Sequence, residues 1–320
     1  MRAPTLLIAA AAVMSLVGCG AATPTVTPAV SPSTSVAPPS ASAVPSPRVP
    51  APPVSSSTPS AGSAVSKVLV VVEENHSLSQ MRAQMPYLAG LAGTYGYATS
   101  WKALAHPSES NYLAMAGGSM FGVTDDGPPS RNASRVGGAD NVFAQALRAG
   151  RTAGTYAESM PGSCSTTNQG DYAVRHNPWT YFAADRASCR KFDVSTATFV
   201  ADARADNLPD VGFLIPNMVH DAHDASLAVA DAWLRQMLAP VVASSDFTSG
   251  RLAVVVTADE DDRHSGNTVL TAVLTPHLHH VVVSTPLNHY SLTRFIADVL
   301  GVRPLLGGRG APDLRKAFGF

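Results

Sequence analysis

The chain has 320 residues, a formal net charge of −1 at neutral pH, and only 14% charged residues. No basic cluster suits nucleic acid and no acidic tract reads as a solvating tail, so charge argues against a nucleic-acid partner and leaves other partners open.

Arg2 gives a short positive region, followed by an apolar stretch from Leu6 to Val17. That stretch is too short to span a bilayer and reads as a signal-peptide core. It ends in Leu16-Val17-Gly18-Cys19, which resembles the lipobox of bacterial lipoproteins. The resemblance implies a leader over residues 1–19, acylation at Cys19, and a mature protein held on the outer face of the cytoplasmic membrane. Stable attachment takes two or more acyl chains. An ordinary secretory signal with a chance cysteine is the plainer alternative.

Residues 20–66 are nearly all Ala, Pro, Ser, Thr and Val, without hydrophobic period. Such a segment cannot bury enough surface to offset its ordering entropy. It reads as a disordered tether rich in polyproline II, with a reach on the order of 100 Å at about 3.1 Å per residue.

Residues 67–320 fit one α/β domain of roughly 250 residues. Lys67 to Val72 is a continuous apolar run, as in a buried parallel strand. Ser108 stands where a helix can begin, after Pro107 and ahead of Tyr112 to Ala116. Asp140 is placed to cap a helix over Asn141 to Ala149, with Gly150 as its stop. Strands follow at Thr152 to Ala157 and Val211 to Ile215. Asp224 then precedes a helix from Ala225 to Leu238, Leu252 to Thr257 is another strand, and Tyr290 to Leu300 a last helix. Strands alternating with helices predict a mostly parallel central sheet covered by helices on both faces. Outside the cytoplasm, the isolated pair Cys164 and Cys189 is expected to form a disulfide.

In parallel sheets, ligands bind beyond the carboxyl ends of the strands. The first strand runs into Glu73, Glu74, Asn75 and His76, the Val211 strand leads to Asp221, His223 and Asp224, and the Leu252 strand to Asp259, Glu260, Asp261 and Asp262. Carboxylates converging on one edge repel each other unless a cation or protons neutralise them, so a divalent metal is the economical expectation. Ser108 has two readings: a helix N-cap, or a nucleophile where helix-start amides hold a phosphoryl group. No Gly-x-Ser-x-Gly elbow of the lipase type is present.

Several segments together resemble a bacterial phosphoesterase family that holds acid phosphatases and phospholipases C. They are Glu74-Asn75-His76-Ser77, His106-Pro107-Ser108 with Asn111-Tyr112, His176-Asn177-Pro178-Trp179, Ile215-Pro216-Asn217 with Asp221-Ala222-His223-Asp224, Thr257 with Asp259 to Asp262, and His289-Tyr290-Ser291-Leu292. They occur in family order and cover the domain. The resemblance implies an alkaline-phosphatase-like α/β fold and hydrolysis of phosphate esters, a phosphoinositide being one candidate. By the same resemblance Ser108 is the nucleophile that becomes a phosphoserine, and Glu74, Asn75, Asp259 and Glu260 hold one divalent metal. His223 is then the general acid, while His106, Asn111, His176 and His289 bind the phosphoryl oxygens or position groups that do. Two positions depart from the motif, His76 for an arginine and Ser110 for a proline.

Several features have plainer readings. Asp261 and Asp262 are weaker ligand candidates, because a short loop cannot aim four carboxylates at one ion. His277, His279 and His280 match no motif and read as surface histidines, and His220 is given no catalytic role. Asn132-Ala133-Ser134 fits a glycosylation sequon of little weight in a bacterial lipoprotein, and Trp101, Trp179 and Trp233 read as core. The expectation is thus an exported, lipid-anchored acid phosphatase acting on monoesters. The alternatives are a phospholipase C-type diesterase or a non-catalytic surface binding lipoprotein.

Overall fold

A computed structural model describes residues 64–320. The 1–19 leader with Cys19, and the tether up to residue 63, lie outside the described residues. Nine strands form one sheet: β1 (Lys67–Glu73), β2 (Gly96–Lys102), β3 (Ala153–Ala157), β4 (Asp193–Ser195), β5 (Val211–Ile215), β6 (Leu252–Ala258), β7 (Thr268–Leu274), β8 (Val281–Val283) and β9 (Leu287–Asn288). Their order is β4-β3-β5-β1-β6-β7-β2-β8, with β9 beside β2.

Valine-rich runs build the centre because branched side chains pack well on a pleated surface buried on both faces. All seven residues of β6 and all five of β5 are buried, and β1 lies parallel between them, with Val68 opposite Val211 and Lys67 opposite Leu252. Each fully buried valine contributes on the order of 1.5–3 kcal/mol relative to an exposed one. The sheet departs from parallel at β7, which runs antiparallel to both β6 and β2. Helices Ser108–Gly117, Val142–Arg148 and His289–Leu300 pack together on one face. Leu78–Gln84, Pro86–Thr94 and Leu227–Val242 pack on the other.

Two helix starts differ from the sequence reading. The cap of Val142–Arg148 is Asn141, whose side chain accepts from the Ala144 N–H, while Asp140 accepts from the Asn141 N–H and from the Arg148 guanidinium. The Leu227–Val242 helix starts after Ser226, because Asp224 is drawn to His223. Cys164 and Cys189 are bonded, with Cα atoms 5.5 Å apart across a separation of 25 residues. Among the described residues, no helix is long and apolar enough to cross a membrane. Trp101, Trp179 and Trp233 are buried, as expected of core residues.

Candidate active site

Strands β1, β5 and β6 end side by side, so the loops that leave them share one edge of the sheet. Backbone bonds lock those loops: the Asp259 N–H donates to the Glu73 carbonyl, and the Glu74 N–H to that of Asp221. Asn75 turns through a left-handed conformation (φ 55°), tolerable for asparagine, and its N–H donates to Asp259 Oδ1 at 3.2 Å.

Ser108 is the first residue of its helix rather than the cap. The cap position belongs to Pro107, which makes no side-chain cap bond, and the Ser108 hydroxyl donates to Glu74 Oε2 at 3.1 Å. Tyr112, one turn along the helix, donates to Glu74 Oε1 at 2.7 Å. The second helical amide is not free for an anion, because the Glu109 N–H is taken by Asp126 Oδ1 at 3.0 Å. Ser110, in place of the motif's proline, donates its hydroxyl to the Pro107 carbonyl, which ties the turn together.

His176 is wholly buried, stacked on Tyr112 with ring centroids 5.1 Å apart. Its Nδ1 bonds Asp221 Oδ2 at 3.1 Å, and its Nε2 lies 3.2 Å from Glu74 Oε1. Burial holds the imidazole well below its usual pKa, reinforced by Arg175. A neutral ring that donates from Nδ1 therefore points the Nε2 lone pair at a carboxylate oxygen. Burial, then repulsion from Asp259 and Asp221, pushes Glu74 well above the carboxylate range; burial, then Glu260, does the same to Asp259. Asp221 is pushed up to about 7, chiefly by burial.

One ligand atom each from Glu74, His176 and Asp221 fall within 4.8 Å of one another, and Asp259 Oδ2 is buried without a partner. Converging lone pairs of this kind fit a divalent cation of the nitrogen- and oxygen-binding sort. The grouping differs from the sequence-derived set of Glu74, Asn75, Asp259 and Glu260. Glu74 is common to both, and His176 and Asp221 join it because the 217–224 loop folds back over the end of β1. Glu260 is turned aside: Asn111 Nδ2 donates to its Oε2 at 3.3 Å, and His106 Nδ1 lies 2.9 Å from its Oε1. Asn111 also gathers the Leu104 and Ala105 N–H groups on its Oδ1.

His289 cannot reach a ligand without breaking its own bonds. It accepts from the Trp101 indole N–H at 3.2 Å on Nδ1, and its Nε2 donates to the Asp259 carbonyl at 2.7 Å. It therefore fixes the Asp259 backbone. Asp261 folds back to accept from the Arg263, Ser265 and Asn267 N–H groups, and Asp262 accepts from Gln80. His277, His279 and His280 lie in the turn between β7 and β8, remote from the strand ends that carry the site. Asn132 of the sequon is fully buried, donating to Glu109 and Asp125.

Sequence reasoning missed Arg175 and Asp126. Arg175 precedes a motif histidine yet belongs to no motif by itself, and Asp126 sits in a loop without any pattern. Both are close enough to act on Glu260 electrostatically, and Arg175 also on Glu74 and Asp221.

The buried Ser108 hydroxyl thus meets a carboxylate cluster at the carboxyl edge of a mostly parallel sheet, and the fold is one shared with solved structures of alkaline-phosphatase type. A Vibrio parahaemolyticus protein of that superfamily matches with a TM-score of 0.51 at 12% identity, covering 75% of this chain and 67% of its own. A 2-O glycosaminoglycan sulfatase matches with a TM-score of 0.56 at 9% identity, covering 80% of this chain and 75% of its own. At such identities these likenesses show the fold alone.

The sequence model of the Phosphoesterase family matches residues 77–303, and the chain belongs to that family. It is similar to a phosphatidylinositol-3-phosphatase of Mycobacterium tuberculosis, 32% identical over 79% of this chain and 82% of the relative. It is also 33% identical to a phosphate-repressible acid phosphatase of Penicillium chrysogenum, over 65% of this chain and 52% of the fungal protein. The protein is accordingly a phosphoric ester hydrolase.

Proposed function

We propose that the chain is a phosphomonoesterase of acid-phosphatase type that works through a phosphoserine on Ser108. The carrying observation is the Ser108 hydroxyl set on Glu74 amid buried carboxylates. The names of the relatives support monoesters, phosphoinositides among them, as the substrate class. In its ionised form Glu74, with Asp259 beside it, accepts the hydroxyl proton as Ser108 Oγ attacks phosphorus. A divalent cation held by Glu74, His176, Asp221 and Asp259 would offset the charge of the phosphoryl group and make the serine a better nucleophile. His223, whose Nδ1 donates to Asp224 at 2.7 Å, is oriented to protonate the leaving oxygen from Nε2. Asn111 and His106 hold the loop ahead of Ser108, and water then hydrolyses the phosphoserine.

The test is hydrolysis of p-nitrophenyl phosphate by the full-length protein and by Ser108→Ala, with bis(p-nitrophenyl) phosphate in parallel and divalent metal supplied. Monoester hydrolysis that drops at least a thousandfold in the variant is the expected result. Hydrolysis of the diester alone would make the protein a phosphodiesterase instead.

Export and acyl anchoring at Cys19 belong to the same proposal and rest on the sequence motif. Partition of the protein into detergent phase, abolished in Cys19→Ser, is expected; unchanged partition would remove the anchor.

A further inference from the structure

Arg175 occupies the short turn Val174–His176 at the mouth of the site, its side chain 16% exposed. Its partners are weak ones for a guanidinium. Nη2 donates to His223 Nε2 at 3.1 Å and to the Met218 thioether sulfur at 3.1 Å. The nearest ion-pair oxygen, Asp126 Oδ2, is 3.7 Å from Nε, and that buried Nε has no hydrogen-bond partner. A guanidinium usually engages a carboxylate or phosphate through two parallel N–H donors. Here one of those donors is spent on an imidazole lone pair and another on nothing. The charge nonetheless acts on Glu74, Asp221 and Glu260, the acids around Ser108.

Resting on the phosphomonoesterase reading, we propose that Arg175 binds the substrate phosphoryl group directly, leaving His223 to do so. The Nε–Nη2 edge takes two phosphoryl oxygens, and its departure frees the His223 Nε2 lone pair to take up from water the proton that it then gives to the leaving oxygen. Binding of the dianion and release of the imidazole become one event. An ester whose phosphate cannot present two oxygens to the guanidinium, such as a bulky diester, gains less from it, so Arg175 also sets the preference for monoesters.

The experiment compares the wild-type protein with Arg175→Met and Arg175→Lys, using inorganic phosphate as competitive inhibitor of p-nitrophenyl phosphate hydrolysis. Loss of a charged hydrogen-bond donor predicts that Arg175→Met raises both the phosphate Ki and KM by about 10- to 100-fold, with a smaller change in kcat. Arg175→Lys recovers part of the Ki. A Ki within twofold of wild type in folded Arg175→Met, folding being checked by thermal melt, overturns the proposal. If that variant does not fold, an unchanged Ki in Arg175→Lys overturns it. Should the wild type fail to hydrolyse the monoester, the functional reading fails separately; calorimetric titration of inorganic phosphate into wild type and variant then decides the role of Arg175.

Discussion

A serine hydroxyl at neutral pH is a weak nucleophile, and the groups able to change that at Ser108 are carboxylates that resist being charged. Glu74 and Asp259 are wholly buried and mutually repelling. On the proposed mechanism, divalent cation should therefore be a stability determinant as well as a catalytic one. A cation bound a hundredfold above its Kd adds about 2.7 kcal/mol, which for a domain of this size is a rise in Tm of roughly 5–10 °C. Chelator should lower the melting temperature by that order and added metal should restore it. A Tm indifferent to both would remove the cation from the cluster.

Asp193 permits a cleaner pH prediction. Burial pushes its carboxyl from 3.8 up to about 8, although the Asn177 amide donates to it. The folded protein thus keeps a proton that the unfolded chain releases. This contribution is full below pH 4 and is lost as pH rises toward 8. Glu109, also pushed up to about 8, titrates in the same window, so the informative quantity is a difference. Asp193→Asn should flatten the decline in urea midpoint between pH 5 and 8 relative to wild type; an unchanged slope would refute the assignment.

At the scale of elements, what the sequence discloses depends on how much local physics decides. β5 and β6 are legible because unbroken apolar runs of five to seven residues suit a doubly buried strand. β2 escapes because its Gly-Tyr-Ala-Thr-Ser-Trp-Lys sequence alternates poorly, and its place is set by pairing with β7, β8 and β9. The cap positions shift by one or two residues because neighbouring acids compete, as Asp224 shows by pairing with His223. The last long helix has a firmer start. Asn288 accepts from the Tyr290 and Ser291 N–H groups, and Ser291 returns the bond. That cap places His289 under the Asp259 carbonyl, so Asn288→Ala should cost about 1 kcal/mol and also reduce kcat. Loss of stability with kcat intact would detach the helix start from the site.

For the whole molecule, the disulfide braces the wall that carries His176. Cys189 lies against Asp193, whose carboxylate takes the Asn177 amide next to His176. Cys164→Ser with Cys189→Ser should lose about 3 kcal/mol of stability on chain-entropy grounds, and specific activity should fall beyond what unfolding explains. Retained specific activity in the folded double variant would confine the bridge to a stabilising role. The site itself was partly legible. Ser108, Glu74, His176 and Asp259 stand in motifs or at strand ends, so linear order finds them. Arg175 and Asp126 become neighbours of Glu260 only through folding of the 120s and 170s loops, and no local pattern announces that. His289 shows the reverse: its motif is legible, but its duty toward a backbone carbonyl is visible only in three dimensions.

β1 is hydrogen-bonded between two strands that the ribosome delivers long after it, with Val68 opposite Val211 and Ala253. The chain must therefore hold its first strand in waiting until nearly all of the polypeptide exists. Closing such long loops is slow compared with forming helices. During refolding from denaturant, far-ultraviolet dichroism should recover well before p-nitrophenyl phosphate hydrolysis returns. The same geometry makes this enzyme indivisible: a nascent chain halted before Leu252 carries the serine and Glu74 but has no β6 to bring Asp259 to them.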